Sequence, residues 1–543
     1  MKYSLLLWLF IIASIHSIKA QQITWATQLG DIGYDRIDLT TTDANANVYV
    51  AGVFSDTLTT DGGIIISDGS NSDVFFGQYS ANGEVVWLKR LGGDGFDRVT
   101  AMNLAPSNHL YLAGTVIDTV RFGTDTIVTK GHSDSDIYLT KVDAIDGSFV
   151  WTREIETALE GNVADIGTDA LGNVFVWGSF QDTLALGTDS LLTFGQSDLF
   201  LLKYDSNGNL LWKNHFGGSK NDLAVALRVS DSGDLYLSGT FNGKILLGST
   251  FLEAYDNLDS FVAKYDSEGN LVWAKQLGSD QLGALVTDLA FDNNHIFITG
   301  TYVNNTLING QTIMTDGLQS LFVARFLLDG TPDFVRGFNN DLVATPTQMV
   351  CDNNGRLYIS GILQGTAQFG AYSLSSSNSE NGIAICLSSE TGDVYGAMSF
   401  GGNDYDATNS ICVANGKCFV GGAFAQSATF GTNTFTSAGN LDAFLLQINQ
   451  DVINATPLVA ATTTIWKTAP NPANTSTRLQ LPNATEANTY TLSINNLLGQ
   501  TMWSGSVANS TIIDTNQWQS GVYVMQLFDN HRHISRQMLI VQH

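Results

Sequence analysis

Apolar and polar residues alternate along most of the chain, in short runs separated by Asp, Asn and Gly. One run with an internal glycine occurs seven times, first in "NVYVAGVF" and last in "KCFVGGAF". Period-two alternation predicts half-buried β-strands, and a fixed long spacing indicates a repeat architecture. The glycines recur every 61 to 64 residues, at Gly52, Gly114, Gly178, Gly239, Gly300, Gly361 and Gly422.

Each repeat contains four such runs. Turns such as "DSNGN" connect the third run to the fourth, which predicts antiparallel hairpins, and a longer loop connects the second run to the third. Seven four-stranded units predict an all-β fold, a seven-bladed β-propeller; a parallel β-helix, the alternative, uses shorter repeats. The fourth run has tryptophan at Trp25, Trp87, Trp151, Trp212 and Trp273, and has Phe334 and Gly396 in the remaining repeats.

The order of the runs predicts how the ring closes. The repeat region starts with a fourth run, "QITWATQLG", and ends after a third run at Leu445 and Leu446. We therefore expect the N-terminal strand to complete the last blade, because an unpaired strand edge promotes aggregation.

A glycine weakens a strand unless a close approach requires it. We expect each repeated glycine to let a neighbouring sheet or backbone come near. The aromatic residue three positions earlier, Tyr49 in the first repeat, faces the other side of the sheet. Together with the fourth-run tryptophan it is expected to fill the core between blades, with the loosest packing beside Phe334 and Gly396.

Residues 1–20 have the features of a secretory signal peptide. Lys2 precedes an apolar run from Leu5 to Ala13, and Ala20 precedes the expected cleavage site. The run is shorter than the roughly 20 residues that span a bilayer, and a buried helix is the alternative. No later run is long enough for a membrane helix, so we predict an exported chain without a transmembrane segment.

The repeat region is assigned to residues 21–451. Residues 452–465, rich in Ala and Thr, are read as a linker. Residues 466–543 form a separate small domain with strand-like runs such as "YTLSIN" and "GVYVMQLF", which suit a small β-sandwich.

The charge balance limits the partners. The chain has 25 basic and 52 acidic residues, a net charge of −27. Such a charge repels phosphate backbones, so we expect no nucleic-acid partner. Many acids lie beside Gly, Asn or Ser, as turn-forming Asp residues do. The alternative for the repeated loop acids Asp35, Asp97, Asp222 and Asp406 is calcium binding; otherwise no cofactor is expected.

Catalytic signals are sparse. The sequence has no nucleophile elbow, no HExxH and no phosphate-binding loop. Glu156 and Glu160 interrupt the third repeat and are the best paired carboxylates for a glycosidase, although a solvated acidic loop is favoured. The cysteines fit free thiols or one local disulfide: Cys351, Cys386, Cys412 and Cys418.

The repeat region resembles the seven-bladed-propeller (SBBP) repeat of secreted bacterial proteins. The motifs that carry the resemblance are the "GGDGFDR" and "GGNDYDA" loops, "GNVFVWGSF" and "SDLFLLKYDSNGNLLW". It covers residues 22–451 and is strongest in the first four repeats.

The tail resembles the type A C-terminal sorting domain of the type IX (Por) secretion system of Bacteroidetes. Its motifs are "APNPANTS", "INNLLGQTMWSG", "QWQSGVYVMQLF" and "ISRQMLIV", with Arg536 where the family usually has Lys. The resemblance implies the type IX secretion machinery as a partner, removal of the tail, and release or attachment to surface lipopolysaccharide. The matching residues are Pro470, Asn471, Pro472, Leu498, Gly499, Gln500, Gly521, Val522 and Tyr523.

These observations predict an extracellular or outer-membrane surface protein that binds a partner, with adhesion or glycan or protein binding as its role. A propeller hydrolase or lyase acting on polysaccharide is the first alternative. A structural surface component is the second.

Overall fold

The computed structural model describes residues 23–542 except 69–70, 130–134, 256–257, 279–282, 293, 309, 353, 377–378, 450–466, 470–472, 481–489, 497–500, 508–509 and 530–531. The chain divides into two compact units, Met1–Thr456 and Pro457–His543. The predicted signal peptide, residues 1–20, and the predicted linker, residues 452–465, lie outside the described residues. Every regular element in the described part of the chain is a β-strand.

The strands of the first unit follow the predicted alternation. In chain order they are β1 (Ile23–Leu29), β2 (Arg36–Thr42), β3 (Val48–Ser55), β4 (Thr57–Thr60), β5 (Gly63–Ile66), β6 (Ser72–Tyr79), β7 (Val85–Leu91), β8 (Arg98–Ala105), β9 (His109–Val116), β10 (Thr119–Phe122), β11 (Asp125–Val128), β12 (Asp136–Asp143), β13 (Phe149–Thr157), β14 (Gly161–Thr168), β15 (Val174–Phe180), β16 (Thr183–Leu186), β17 (Asp189–Leu192), β18 (Asp198–Tyr204), β19 (Leu210–Gly218), β20 (Asp222–Val229), β21 (Leu235–Phe241), β22 (Lys244–Leu247), β23 (Thr250–Glu253), β24 (Asp259–Tyr265), β25 (Leu271–Leu277), β26 (Ala284–Phe291), β27 (His295–Tyr302), β28 (Asn305–Ile308), β29 (Gln311–Met314), β30 (Ser320–Leu327), β31 (Pro332–Gly337), β32 (Val343–Asp352), β33 (Arg356–Gln364), β34 (Thr366–Phe369), β35 (Tyr372–Ser375), β36 (Asn381–Ser388), β37 (Val394–Gly402), β38 (Asp406–Ala414), β39 (Lys417–Phe424), β40 (Ser427–Phe430), β41 (Asn433–Thr436) and β42 (Asp442–Asn449).

The predicted seven-bladed propeller is confirmed. Blades 1 to 6 are antiparallel sheets in the orders β2-β3-β6-β7, β8-β9-β12-β13, β14-β15-β18-β19, β20-β21-β24-β25, β26-β27-β30-β31 and β32-β33-β36-β37. Blade 7 contains β38-β39-β42, and the strand hydrogen-bonded to the outer side of β42 is β1. In that pairing Trp25 lies opposite Gln447, and Gln28 lies opposite Phe444.

Each blade also carries a short hairpin that the sequence analysis missed. The prediction of a long loop between the second and third strands is wrong. This segment folds into two four-residue strands, as in β10 with β11. Three of these hairpins, through β16, β22 and β40, pair with the outer strand of the preceding blade. The hairpins therefore cover part of the outer edges of neighbouring sheets, which would otherwise be open to other chains.

The apolar core is divided among the blade junctions. Buried residues in the described part of the chain form seven clusters in the first unit, each shared by two neighbouring blades. One cluster joins blade 7 to blade 1 and contains Phe419, Leu445, Val50 and Phe75. The packing is therefore circular, since blade 7 shares a core with blade 1 as every other blade does with the next.

A neighbouring backbone comes close to each repeated glycine, as expected, and this backbone belongs to the same blade. A Cβ added at Gly52 would lie 2.0 Å from the carbonyl oxygen of Arg36, in the inner strand of the same blade and not in the next blade. A β-bulge between Ile37 and Leu39 brings this carbonyl close. At all seven repeated glycines an added Cβ would lie 1.9 to 2.8 Å from the equivalent carbonyl oxygen. Glycine is therefore required by a bulge that every inner strand contains.

The repeated tryptophans connect each blade to the next. The indole N–H of Trp87, in blade 1, donates to the carbonyl of Ala144 in the turn between the third and fourth strands of blade 2, at 3.2 Å. The same ring contacts Tyr49, three residues before Gly52, with centroids 6.3 Å apart. Equivalent N–H bonds run from Trp25 to Ala81, Trp151 to Ser206 and Trp273 to Leu328. The indole N–H of Trp212 is buried and has no hydrogen-bond partner among the residues that the structure describes.

Blade 5 replaces the tryptophan by Phe334, which is 8% exposed. Its ring has the guanidinium groups of Arg325 and Arg336 at 4.9 and 5.5 Å from its centroid. These contacts are favourable cation–π interactions, and Phe334 is no more exposed than Trp151. The loose packing expected beside Phe334 is therefore not observed.

The second unit consists of two antiparallel sheets, β43-β44-β47 and β46-β45-β48-β49. Leu479 and Ile513 from the first sheet share one buried cluster with Ile494, Met525 and Leu539 from the second. The strands are β43 (Lys467–Ala469), β44 (Ser476–Gln480), β45 (Tyr490–Asn496), β46 (Thr501–Val507), β47 (Ser510–Asp514), β48 (Gly521–Asp529) and β49 (Arg532–Val541).

Candidate ligand-binding site at the channel mouth

The seven inner strands surround a central channel of about 520 Å³. The residue that each β-bulge inserts lines this channel, and five of the seven are polar: Asp38, Thr100, Thr287, Thr347 and Asn409. The bulge therefore does two things. It demands the repeated glycine on the neighbouring strand, and it supplies the channel with hydrogen-bonding side chains.

An ion-pair network spans three blades inside the channel. Arg228 of blade 4 reaches Asp165 of blade 3 at 2.5 Å and Asp288 of blade 5 at 2.7 Å. Both carboxylates also accept backbone N–H groups from the next blade, Asp165 from Leu227 and Asp288 from Met349. Burial raises the pKa of Asp288 to about 6, although the charge of Arg228 acts in the opposite direction. These three residues were not among the candidates from the sequence, because the only feature that marks them there is a charge within a predicted strand.

The repeated loop acids organise the connections between blades. Asp35, Asp97, Asp222 and Asp406 are at most 1% exposed. Each accepts the backbone N–H four residues earlier, for example Gly93 N–H to Asp97 at 2.8 Å. Burial raises the pKa of Asp35 to about 8 and those of the other three to about 7.

The alternative role of these four acids was calcium binding, which requires several ligand side chains close together. No group of three or more His, Cys, Asp or Glu side chains arranged to hold a metal ion occurs among the residues that the structure describes. One carboxylate oxygen of Asp35, of Asp222 and of Asp406 is buried without a hydrogen-bond partner. Their common geometry is that of a loop-stabilising side chain.

The two glutamates of the third repeat, Glu156 and Glu160, lie in different surroundings. Glu156 lies on β13, opposite Ala185 of the next blade's hairpin. Glu160 is exposed beyond the end of that strand and accepts a hydrogen bond from Gln181 Nε2 at 3.0 Å. Glu160 lines a pocket that is described below, and Glu156 does not line that pocket.

A pocket of about 620 Å³ opens at the junction of blades 7 and 1, at the channel mouth. We name it the Tyr34 pocket. Tyr34 and Tyr405 are 53% and 39% exposed and flank it from the two blades. Arg36 and Asp38 form an ion pair at 2.9 Å in its wall. Its other polar lining residues are Thr347, Asn409 and Asn440.

Local structure explains how the Tyr34 pocket is presented. In "GYDR", Asp35 is turned inward to hold the loop, so that its neighbours Tyr34 and Arg36 reach the surface. Tyr34 is fixed through its backbone N–H, which donates to the hydroxyl of Ser55 at 2.8 Å. Within the described residues, the Tyr34 and Tyr405 hydroxyls and the terminal nitrogens of Arg36 make no hydrogen bond, so these groups are available to a ligand.

Electrostatics couples the groups of this pocket. Burial raises the pKa of Tyr405; Glu380 raises it further and Arg36 lowers it. Burial raises the pKa of Asp38 to about 6, against the opposing charges of Arg36 and Arg98. Arg98 belongs to blade 2, so Asp38 lies within electrostatic range of guanidinium groups from two blades.

A second pocket, of about 480 Å³, lies where blades 2 and 3 meet on the same loop side of the ring. We name it the Arg98 pocket. Arg98, Thr100, Glu160, Asn162 and Gln181 line it. In "GFDR", Phe96 and Arg98 repeat the positions of Tyr34 and Arg36, and Phe96 is 54% exposed. These aromatic–Asp–Arg triplets were visible in the sequence, but were read there only as repeat motifs.

Most of the sorting-motif residues, Pro470, Asn471, Pro472, Leu498, Gly499 and Gln500, lie outside the described residues. Gly521, Val522 and Tyr523 begin β48. The Tyr523 hydroxyl donates to the Gln519 carbonyl at 2.7 Å, and its ring lies 4.9 Å from that of Trp518. These two contacts stabilise the turn before β48. Among the described residues, no disulfide joins the four cysteines of the propeller, Cys351, Cys386, Cys412 and Cys418.

Comparison with known proteins identifies the tail. Residues 467–542 match the family described as "Secretion system C-terminal sorting domain". The protein is therefore exported through the type IX secretion system to the cell surface or the extracellular space, as predicted. No helix in the described portion of the chain has the length and apolar character needed to cross a membrane.

The chain is similar, at low identity, to two curated proteins. It is 24% identical over 380 residues to the uncharacterized WD repeat-containing protein L264 of Acanthamoeba polyphaga mimivirus, covering 56% of this chain and 27% of that protein. It is 24% identical over 409 residues to the regulatory protein FlaEY of Caulobacter vibrioides, covering 68% and 41%. The chain thus spans well under half the length of either relative.

Two solved structures that match the chain share little sequence with it. Drosophila semaphorin 2a has 8% identity and a TM-score of 0.40, with 95% of this chain and 98% of that chain covered. The β-propeller domain of the trilobed protease from Pyrococcus furiosus has 9% identity and a TM-score of 0.39, with 79% and 99% covered.

Proposed function

We propose that this exported propeller is a non-enzymatic binding protein that recognises a neutral glycan through the Tyr34 pocket, in adhesion at the cell surface. The observation that carries the proposal is the pair of exposed tyrosine rings on either side of an Arg36–Asp38 ion pair. Aromatic rings present large apolar faces with a polar tip, and such faces suit the C–H surfaces of sugar rings.

The polar groups of the pocket match sugar hydroxyls. Arg36 offers donors in a fixed fork, and Asp38 beside it offers acceptor oxygens. An adjacent donor and acceptor can bind two neighbouring hydroxyl groups. Charges around the pocket are nearly balanced, because Arg36 and Arg98 are offset by Asp38 and Glu380. This balance, on a chain of net charge −27, favours a neutral ligand over an anionic one.

No catalytic activity and no cofactor are included in the proposal. Glycoside hydrolysis requires two carboxyl groups on either side of one bond. Glu160 lines the Arg98 pocket and Glu156 does not, and Asp38 is the acid of the Tyr34 pocket. Binding without chemistry is the simplest use of these groups.

The proposal places the binding face on a particular exported architecture. In it, the N-terminal strand closes an SBBP-type ring, supported by the β1–β42 pairing. The two sheets of the tail form a β-sandwich, supported by their common core. In a Bacteroidetes cell, residues 1–20 direct export from the cytoplasm, and the tail is removed as the protein is released or joined to surface lipopolysaccharide. Nucleic acid is not a partner.

The test is a glycan array probed with residues 21–543, which lack the signal peptide, retain the tail and are called the mature chain below. We expect binding to neutral glycans, and loss of that binding in the double variant Tyr34→Ala/Tyr405→Ala. Tyr255→Ala is the matched control, since Tyr255 is 65% exposed in blade 4 and lies outside both pockets. Binding to no glycan contradicts the proposal. Binding only to carboxylated glycans contradicts the choice of a neutral ligand.

A further inference from the structure

Both pockets open into the mouth of the same channel. Asp38, Thr347 and Asn409 line the Tyr34 pocket and also the channel. Thr100 lines the Arg98 pocket and also the channel. The polar bulge residues Asn409, Asp38 and Thr100 of blades 7, 1 and 2 therefore follow one another around the channel, from the strands of one pocket to those of the other.

The two pockets present related chemistry. Each is lined by the arginine of an aromatic–Asp–Arg triplet whose Asp is buried in the loop, and the first pocket is also lined by the aromatic residue Tyr34. Asp38 is within electrostatic range of both guanidinium groups, Arg36 on its own blade and Arg98 on the next. The second pocket adds the exposed side chains of Glu160 and Asn162, which supply an acceptor and an amide. Repetition of one recognition element along a shared edge suits a ligand whose chemistry also repeats.

We propose that the Tyr34 and Arg98 pockets are two subsites of one groove, and that the ligand is a linear polysaccharide whose successive sugars occupy both. This inference rests on the proposed function and names its ligand class: a chain bound along its length and not a terminal mono- or disaccharide. When one molecule fills both subsites, the second contact is intramolecular and raises the affinity without further contacts. A disaccharide, by contrast, fills one subsite at a time.

The experiment measures affinity against chain length by titration calorimetry on the mature chain. The ligands are oligosaccharides of two, four and six units from β-1,4-glucan, β-1,4-xylan, β-1,4-mannan and α-1,4-glucan. For the series that binds, we expect the six-unit chain to bind at least about tenfold more tightly than the two-unit chain, because it engages both subsites.

The variants separate the subsites. Glu160→Ala/Asn162→Ala changes two exposed side chains of the Arg98 pocket and leaves in place Arg98, whose charge acts on Asp38. We expect it to bind the two-unit ligand as the wild type does but to lose the gain with length. Arg121→Ala, an exposed residue of the blade 2 hairpin, is the control and keeps the gain. Circular dichroism checks that each variant is folded.

The outcomes of these titrations distinguish failure of the two-subsite groove from failure of glycan binding. If affinity does not rise with length, or if Glu160→Ala/Asn162→Ala keeps the full gain, the two-subsite groove is wrong while the proposed glycan binding stands. If none of the four series binds at any length and the glycan array is also blank, the proposed function fails and this inference fails with it. Should the variant lose binding to the two-unit ligand too, the pockets are not separate subsites and the inference is overturned.

Discussion

Replacing Arg228 by Met tests the ion-pair network of the channel. The substitution keeps an unbranched apolar side chain but removes the only cation that contacts Asp165 and Asp288 among the residues that the structure describes. Side-chain exposures of 23%, 18% and 7% for Arg228, Asp165 and Asp288 show that water only partly solvates the three groups.

The size of the effect follows from what the substitution leaves behind. Removing one partner of a buried ion pair costs about 3–5 kcal/mol, because an uncompensated charge remains. Here each carboxylate keeps two backbone N–H donors, from Leu227 and Ile166 for Asp165 and from Leu289 and Met349 for Asp288. These donors retain part of the stabilisation, so we expect a loss near the lower end, about 3 kcal/mol at pH 7.5.

The loss should depend on pH. Burial raises the pKa of Asp288 to about 6 even with Arg228 present, and without the cation its carboxylate holds a proton more firmly still. Protonation removes the unpaired charge, so the loss should be smaller at pH 5 than at pH 7.5.

The assay is urea unfolding of the mature chain, followed by tryptophan fluorescence at both pH values. A triple variant that adds Asp165→Asn and Asp288→Asn to Arg228→Met has no charge left at the site and should recover at least half of the loss. Arg121→Met is the control, with an expected change within about 0.5 kcal/mol. An Arg228→Met protein as stable as the wild type, or a triple variant no better than the single one, would refute the reasoning.

Three further predictions concern the blade junctions and the tail. Trp87→Phe should cost about 1 kcal/mol through loss of the N–H bond to Ala144, whereas Trp212→Phe, whose N–H is unpaired, should cost less; equal losses in urea unfolding would contradict this. Burial raises the pKa of Asp35 to about 8, so the native state holds a proton that the unfolded chain releases near pH 4. The free energy of unfolding should therefore fall between pH 5 and pH 8.5, and it should fall less in Asp35→Asn. Urea midpoints at both pH values check this, and an equal fall in the wild type and the variant would argue against it. A reporter joined to residues 466–543 should appear outside a cell that has the type IX machinery, and a reporter retained in the periplasm speaks against sorting.

The sequence predicted the blades because their information is local and repeated. Period-two runs, hairpin turns and the spacing from Gly52 to Gly422 each specify one blade, and seven copies specify the ring. The extra hairpins were missed because their four-residue strands carry turn residues at both ends, as in "RFGTDTIV". The close backbone at the repeated glycine was expected, but its source was not predicted, since a bulge in the adjacent strand leaves no distinct mark in the sequence.

The candidate site was less accessible to prediction than the fold. Asp165, Arg228 and Asp288 lie about 60 residues apart in sequence and meet only because three inner strands converge on one axis. Tyr34 and Tyr405 are neighbours only when the first blade meets the last. The triplets "YDR" and "FDR" could have identified the pockets, had the outward-facing residues been separated from the buried Asp between them.

The tryptophan contacts also determine what an optical signal from this protein reports. The indoles of Trp25, Trp87, Trp151 and Trp273 are each covalently part of one blade and hydrogen-bonded to the following one. The fluorescence emission of these four tryptophans therefore reports on the junctions between blades rather than on the pairing of strands within a sheet. A transient separation of two neighbouring blades would change this fluorescence while every strand remained paired. Such opening of the ring can therefore be followed without any added label.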